Sequence, residues 1–401
     1  MNTPQLVDHL FRREAGRIVS TLTRILGPRN IALAEDAVQD ALIRALELWP
    51  FRGIPENPST WLIQVAKNRA LDRIRREASL AAKLAGAIEA FEQPASAAFF
   101  PDPFPDDEVA MLFLCAHPAL PPESRLALTL KTVGGFSVGE IARALLAEET
   151  AIAQRIVRAK RQIGEQDLTF EMSGDAELSA RLESVLAVLY LMFNEGYGAL
   201  RTDLCEEAIR AARLIAGHSA TALPATHALL SLFLLQSSRS AARLDPNGTL
   251  LLLGEQDRTL WDRARIHQGL RFLELSATGD TVTTYHLEAG IAAAHAVSPD
   301  AGSTDWPGIL QLYDHLYQLN PSPVVALNRA VALSRAEGAR AGIEALAAIE
   351  HHPKLQRYYL LHAALGSLWR DLGDYETSRV CFDRALECPC SEPERKFLER
   401  Q

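Results

Sequence analysis

One side of the segment at residues 34–49 places an isoleucine among acids. At 100° per residue, small and apolar side chains fall in a single stripe formed by Ala34, Val38, Ala41, Ala45 and Trp49. The opposite side carries Asp36, Asp40, Ile43 and Glu47. Three acids on one helical face are typical of a solvated surface. An isoleucine among them also suits docking against a basic partner.

A row of arginines marks the next predicted helix. The helix follows the NPST turn at residues 57–60, where Ser59 or Thr60 is the expected N-cap. Its predicted buried stripe is Ile63, Ala66, Ala70 and Ile74. Arg69, Arg73 and Arg76 recur at helical spacing on a separate face, beside Trp61, which we expect to be exposed. Such a surface can bind a nucleic-acid backbone and stack unpaired bases, although solvated arginines give the same pattern.

Residues 121–163 have the pattern of a helix-turn-helix. A helix through Leu126 and Leu130 should end at the two glycines 134–135, and the S-x-x-E box at 137–140 should start the next helix. A turn near 146–148 precedes the last helix, whose apolar stripe is Ile152, Ile156, Ala159 and Ile163. Its polar side carries Thr150, Gln154, Arg158 and Arg161. The second helix of such a motif enters the major groove, but a plain helical hairpin shares the pattern.

The elements that position these residues are all predicted to be helices. The chain has 401 residues, 48% of them hydrophobic, which suits two to three globular domains. We find no convincing strand pattern, no membrane-length apolar run and no apolar leader, and therefore expect a cytoplasmic protein. The five scattered cysteines predict reduced thiols. No catalytic motif or paired metal-ligand set is found, so we predict no enzyme, no cofactor and no metal.

The distribution of charge divides the chain. Residues 1–85 carry a balance of +4 and residues 125–166 a balance of +3, within a net charge of −9. Residues 86–124 hold seven acids and no basic residue, and the prolines of FFPDPFPDDE at 99–108 interrupt helices. We predict a first domain at 1–85, an acidic linker at 86–122, the helix-turn-helix at 123–166 and a helical domain at 176–401.

The helical domain contains a repeat near its end. The segments at 320–338 and 352–387 align with Ala330 and Ala364 34 residues apart and Gly338 and Gly373 35 apart. This period is typical of tetratricopeptide repeats, which stack into a concave binding surface.

Two polar–aromatic clusters lie in the same domain, at residues 255–261 and 304–306. We expect helix caps with buried tryptophan anchors there. A peptide or ligand groove is the alternative.

Together these segments resemble the extracytoplasmic-function class of sigma-70 family factors. AEDAVQDALIRALELWP at 34–50 is similar to the region two helix that binds core RNA polymerase. NPSTWLIQVAKNRALDRIRRE at 57–77 is similar to the segment that melts and reads the minus-ten element. The motif at 137–163 is similar to region four, although its turn lacks the Gly or Ser that many such turns carry. The helical repeats resemble the C-terminal extension of one subgroup, which has a tetratricopeptide-like domain.

The resemblance implies an all-α protein with two small sigma domains, region two and region four, before the repeat domain. It implies core RNA polymerase and promoter DNA as partners. The implied core-binding residues are Asp36, Gln39, Asp40, Ile43 and Glu47. The implied minus-ten residues are Trp61, Asn68, Arg69, Asp72, Arg73, Arg75 and Arg76. The implied minus-thirty-five residues are Thr150, Gln154, Arg155, Arg158 and Arg161. The acidic linker would lie in the basic cleft of the polymerase or be a solvated tether.

A stand-alone helix-turn-helix regulator with a repeat scaffold is the alternative function. An operator-binding protein has no need of the two helices at 34–77, so their presence favours the sigma factor. The repeat domain is expected to bind a regulatory protein or ligand and to modulate activity, in a direction that the sequence leaves open.

Overall fold

The computed structural model describes residues 3–85, 105–170 and 175–401. In these ranges the chain forms α-helices and short 3-10 turns with no β-strand, which confirms the predicted all-α class. Within the same ranges, no helix has both the length and the apolar character needed to cross a membrane. The chain divides into two compact units, Met1–His218 and Ser219–Gln401.

The described part of the first unit forms nine α-helices. They are α1 (Thr3–Leu26), α2 (Ile31–Arg52), α3 (Pro58–Ala85), α4 (Pro105–Cys115), α5 (Pro122–Thr132), α6 (Val138–Ala144), α7 (Glu149–Glu165), α8 (Asp175–Gly198) and α9 (Thr202–Gly217). The unit boundary follows α9, so α8 and α9 belong with the sigma-like helices. The sequence instead placed the start of the repeat domain at residue 176.

The two helices of the region-two-like segment pack on their predicted stripes. Every member of the α2 stripe from Ala34 to Trp49 is buried, and so are Ile63, Ala66 and Ala70 of α3. The prediction of Ser59 or Thr60 as the N-cap is wrong. The side chain of Asn57 accepts a hydrogen bond from the Thr60 backbone N–H at 3.1 Å, because the helix begins one residue earlier, at Pro58.

Part of the predicted acidic linker is a buried helix. Proline is tolerated in the first turn of a helix, and α4 starts at Pro105. Asp107 is buried and paired with Arg24, and Glu108 is buried and lies 2.9 Å from Arg210 of α9. In this structure these two acids are buried against arginines and form neither a free acidic surface nor a solvated tether, which corrects that expectation for them. Residues 86–104 of the linker lie outside the described residues.

The helix-turn-helix forms with the predicted boundaries. Ser137 and Glu140 make both hydrogen bonds of the capping box, and all four members of the α7 stripe are buried. The turn between α6 and α7 places Leu146 at a φ of 47°, a left-handed conformation that strains an L-residue. Leu146 is also 94% exposed, so it gains no packing in exchange. At this position, where many such turns carry a Gly or Ser, the chain therefore has a strained and solvent-exposed leucine.

The described second unit also forms nine α-helices. They are α10 (Pro224–Ser237), α11 (Arg263–Ser276), α12 (Thr284–Val297), α13 (Trp306–Leu319), α14 (Pro323–Glu337), α15 (Ala339–Ala347), α16 (Tyr359–Asp371), α17 (Tyr375–Glu387) and α18 (Glu392–Glu399). Gly338 separates α14 from α15 and Gly373 separates α16 from α17, both with positive φ. The two glycines thus mark equivalent turns of two consecutive helical pairs, as their spacing predicts.

An irregular segment at residues 238–262 connects α10 to α11 and reaches the last helix. The Leu250 backbone N–H donates to the Pro393 carbonyl at 3.2 Å, and Arg400 pairs with Glu255 at 3.1 Å. The polar–aromatic clusters provide caps, as predicted: Asp257 accepts from Thr259 N–H and Asp305 from Gly308 N–H. The segment therefore ties the two ends of the second unit together.

Replacing Leu146 with glycine should stabilise the first unit. The left-handed conformation costs an L-residue about 1–2 kcal/mol, and glycine avoids this cost. The greater freedom of glycine in the unfolded chain offsets part of the gain, by about 0.5–1 kcal/mol. We expect Leu146→Gly to raise the free energy of unfolding by about 0.5–1 kcal/mol, measured by hydrogen exchange of α7 amides in the full chain. Leu145→Gly is the control, because Leu145 has a negative φ and is half-buried, and it should destabilise. A loss of stability in Leu146→Gly would contradict the account.

Candidate nucleic-acid interface

The acidic face of α2 is solvent-exposed as predicted. Asp36, Gln39, Asp40, Ile43 and Glu47 are all exposed, and Ile43 shows 56% of its surface. The opposite stripe is buried, so α2 holds these side chains on a rigid scaffold. An exposed isoleucine ringed by carboxylates has the chemistry of a surface that binds a partner carrying both apolar and basic groups.

The arginine row of α3 lies next to that acidic face. Arg73 donates to the carboxylate of Asp36 at 3.0 Å, and both side chains are more than half exposed. The sequence assigned these two residues to separate surfaces. The structure shows that the two surfaces adjoin, because α2 and α3 pack side by side.

Most of the predicted minus-ten residues are exposed along α3. The exposed members are Asn68, Arg69, Asp72, Arg73, Arg75 and Arg76. The expectation that Trp61 is exposed is wrong, because it is half-buried and packs edge-on against Trp49, with ring centroids 5.4 Å apart. Contact with the buried Trp49 makes Trp61 part of the α2–α3 junction.

The outer face of α7 presents the predicted minus-thirty-five residues. Thr150, Gln154, Arg158 and Arg161 are exposed, and Arg161 lies 3.4 Å from Glu165. Arg155 differs from the others. It is half-buried and pairs with Glu123 of α5 at 2.8 Å. Its guanidinium therefore contributes to the packing of α7 on α5.

A buried ion pair joins α2 to α7. Glu35 is only 9% exposed, accepts a hydrogen bond from the Thr132 hydroxyl at 3.0 Å and is paired with Lys160. The helical pattern alone did not predict this pair. A signal exists, because Glu35 shares a helical side with the buried Val38 and Leu42, and Lys160 lies between Ile156 and Ile163 on α7. A charge flanked by buried apolar residues predicts a partner nearby.

Further contacts join the α1–α2 segment to the α5–α7 segment. Together with the Glu35–Lys160 pair they form the junction between these two segments. The Gly16 backbone of α1 lies so close to residue 133 that a Cβ there would meet the Val133 carbonyl oxygen at 2.0 Å. Arg29 pairs with Asp167 at 3.0 Å on the exposed rim. Cys115 is buried, and its burial, reinforced by Glu35, raises the pKa of the thiol, so Cys115 stays protonated and unreactive.

Helices α8 and α9 hold α4 and α5 from the other side. Arg125 of α5 donates to the Ser184 hydroxyl at 2.8 Å, and Ser184 donates to the Ala116 carbonyl. Arg210 of α9 binds Glu108 at 2.9 Å and Glu207 at 2.6 Å. Burial alone would lower the pKa of Arg210, but these two carboxylates raise it. Residues that come after the helix-turn-helix thus complete its packing.

Comparisons with known proteins agree with this arrangement. Residues 10–80 match Sigma-70 region 2, residues 110–163 match Sigma-70 region 4, and residues 181–277 match a family of unknown function, DUF6596. The uncharacterized protein R00370 of Rhizobium meliloti is 39% identical over 93% of this chain and 90% of its own length. No solved structure matches the chain significantly.

Characterised relatives match the first half of the chain. RNA polymerase sigma factor CarQ of Myxococcus xanthus is 36% identical over 33% of this chain and 73% of its own length. ECF RNA polymerase sigma factor SigE of Mycolicibacterium smegmatis is 28% identical over 39% of this chain and 59% of its own length. The chain therefore belongs to the sigma-70 family and is a sigma factor of the ECF type. Its role is in transcription initiation, with core RNA polymerase and promoter DNA as partners.

Removing one member of the buried pair should weaken the junction. Lys160→Met leaves the Glu35 carboxylate buried with only Thr132, and we expect the free energy of unfolding of the first unit to fall by about 3–5 kcal/mol. Adding Glu35→Leu should restore most of that loss, because an apolar pair of similar volume replaces the two charges. The measurement is hydrogen exchange of α7 amides.

The exposed pair in the same junction is the control for this experiment. Asp167→Asn removes the partner of Arg29 and should change the free energy of unfolding by less than about 1 kcal/mol. Equal effects of Lys160→Met and Asp167→Asn would show that the Glu35–Lys160 pair is not the dominant contact.

Proposed function

We propose that this sigma factor binds core polymerase through the acidic face of α2, melts the minus-ten element with α3 and reads the minus-thirty-five element with α7. The observation that carries the proposal is that the acidic face of α2 and all predicted residues of α3 and α7 except the half-buried Trp61 and Arg155 are exposed. They lie on helices whose opposite sides are buried in one unit. Rigid helices hold such side chains more accurately than loops do.

Each surface has the chemistry of its proposed task. Arg69, Arg75 and Arg76 would neutralise phosphates along the opened strand, while Asn68 and Asp72 offer hydrogen bonds to base edges. On α7, Gln154 suits adenine, and Arg158 suits guanine or phosphate. Arg73 is paired with Asp36, so it also links the polymerase-facing surface to the DNA-facing one.

We infer that the structure is a closed state that opens on the polymerase. Arg73 of α3 pairs with Asp36 of α2, and the neighbouring residue Glu35 pairs with Lys160 of α7. These contacts connect α3 to α7. The side chains and backbone along this path are short, so Arg73 and Arg158 lie within about 40 Å of each other. The two promoter elements are named for positions about 25 base pairs apart, which is about 85 Å of B-form DNA. Helices α3 and α7 therefore reach the minus-ten and minus-thirty-five elements together only after the contact between α2 and α7 breaks.

The helices after region four are proposed to modulate this process. In the first unit, α8 and α9 pack on α4 and α5 through the Ser184 and Arg210 contacts, so they support the entry to the helix-turn-helix. In the second unit, the equivalent glycine turns at 338 and 373 support a tetratricopeptide-like protein-interaction domain.

Charge reversal on α2 tests the proposed polymerase contact. Asp40→Arg should abolish or strongly reduce co-purification with core polymerase and run-off transcription, because it places like charges against a basic partner. Asp40 is preferred over Asp36, whose reversal would also break the Arg73 pair. The matched control is Glu344→Arg, an exposed acid of the second unit. Wild-type transcription by Asp40→Arg would remove α2 from the polymerase interface. Tight, sequence-specific promoter-duplex binding without core polymerase would favour the stand-alone regulator.

Truncation tests the role of α8 and α9. A chain ending at residue 218 keeps the Arg210 and Ser184 contacts, whereas one ending at 170 loses both and uncovers the faces of α4 and α5 that pack on α8 and α9. We expect 1–218 to retain full-length protection of α7 amides and promoter-dependent transcription. The 1–170 chain should lose both. Equal amide protection and transcription in the two truncated chains would show that region four does not need α8 and α9.

A further inference from the structure

The 238–262 segment closes a cavity against the helices of the second unit. Lys396 of α18 donates to the Asn247 carbonyl at 3.3 Å, and Arg258 donates to the His295 carbonyl of α12 at 2.8 Å. The segment and the helices enclose a cavity of about 410 Å³, which is within the size range of small-molecule sites. Because the segment is tied to a helix near each end, the cavity suits a compact ligand better than an extended chain.

Much of the cavity wall is apolar. The apolar side chains include Trp306, Leu327, Val331, Leu368 and Phe382, which come from the four helices α13, α14, α16 and α17. Walls of this kind favour a ligand that has an apolar body, because binding removes that body from water.

Three arginines line the same cavity, whereas none of the described residues that line it is acidic. Arg335 lies 3.9 Å from the Asp371 carboxylate, so an acid already offsets its charge. Arg258 donates to two backbone carbonyls and lies 4.4 Å from the centre of the Trp261 ring. Burial lowers the pKa of Arg258, and the Asp300 carboxylate opposes that change. These two arginines are therefore committed to contacts within the protein.

Arg370 of α16, the third arginine, contacts only neutral groups among the residues that the structure describes. Its guanidinium donates to the Gln401 side-chain carbonyl at 2.6 Å and lies 5.7 Å from the centre of the Phe382 ring. A guanidinium carries five N–H donors, and the bond to Gln401 uses one of them. Arg370 is half-buried, so water screens its charge less than at the open surface. An oxyanion on a ligand would supply the missing counter-charge.

A smaller neighbouring cavity of about 120 Å³ differs in its electrostatics. Arg239 lines it, but this side chain is already hydrogen-bonded to the Gln236 side chain. Tyr313 also lines it, and burial, reinforced by the negative charge of Glu288, raises the pKa of Tyr313 to about 12. An acid therefore acts on the smaller cavity, and the larger cavity is the better site for an anion.

We propose that the second unit binds a small organic anion in the larger cavity, with its oxyanion on the unused N–H groups of Arg370 and its apolar body against Phe382 and α14. The oxyanion is a carboxylate or a phosphate, because the planar guanidinium fits both. The polar–aromatic cluster at 304–306 then caps α13 and also forms part of the cavity wall. The proposal is independent of the polymerase and promoter contacts, since all of its residues belong to the second unit.

Calorimetric titration of the full-length chain with octanoate, octyl phosphate and 1-octanol tests the proposal. The two anions share an apolar chain and differ in the oxyanion, and the alcohol is the uncharged control. We expect saturable one-to-one binding of at least one anion, at least about tenfold tighter than that of octanol, and the tighter anion identifies the head group. No saturable binding of either anion, or an affinity equal to that of octanol, would overturn the proposal.

Variants test whether the anion lies at Arg370. Arg370→Met removes the charge, and Gln401→Glu gives Arg370 a carboxylate from within the chain. Each should weaken the bound anion at least about tenfold and leave octanol unchanged. Ser367→Phe, at a half-buried position one turn before Arg370 on the cavity wall, should weaken all three ligands. Arg379→Met is the matched control, because Arg379 is exposed and does not line the cavity, and it should change none of them.

Thermal unfolding of each variant establishes that it is folded before its affinity is compared. Gln401→Glu keeps the Arg370 side chain in place, so it tests the charge even where Arg370→Met fails to fold. Unchanged anion affinity in folded Gln401→Glu would overturn the proposal. A hexapeptide of alternating leucine and glutamate that binds one-to-one where neither octyl anion does would also overturn it, because the cavity would then accept a segment of a protein partner.

Discussion

The buried Glu35–Lys160 pair is the constraint on which the first unit depends. Taking two charges out of water costs several kcal/mol per ion, and only a close partner with further hydrogen bonds offsets that cost. Glu35 meets both conditions through Lys160 and Thr132. Because one member lies on α2 and the other on α7, the pair fixes how these two helices sit relative to each other in this structure.

The rest of the unit is arranged around this contact. Gly16 allows α1 to approach the end of α5, and the alanine stripe of α2 allows close packing with its neighbours. Helices α8 and α9 then cover α4 and α5, with Arg210 compensating Glu108. Through these contacts α8 and α9 complete the packing of α4 and α5.

The sequence predicted the parts of the fold that depend on local patterns. The stripes of α2 and α7 and the Ser137–Glu140 capping box result from helical periodicity and cap chemistry, and they are observed as predicted. Contacts between distant elements were not predictable in this way. Arg155 pairs with Glu123, Trp61 packs on Trp49, and Asp107 and Glu108 turn inward, because tertiary partners decide the orientation of each side chain. The unit boundary after residue 218 was missed for the same reason, since α8 and α9 look like any other amphipathic pair.

The separation between region two and region four tests the central claim most directly. Spin labels at the exposed positions Glu56 and Gln166, measured by double electron–electron resonance, report that separation in the free chain and in a complex with core polymerase and promoter DNA. We expect one short distance in the free chain and an increase of more than about 30 Å in the complex, since the closed path is too short for both promoter elements. An unchanged distance in a transcribing complex would contradict the closed-to-open account.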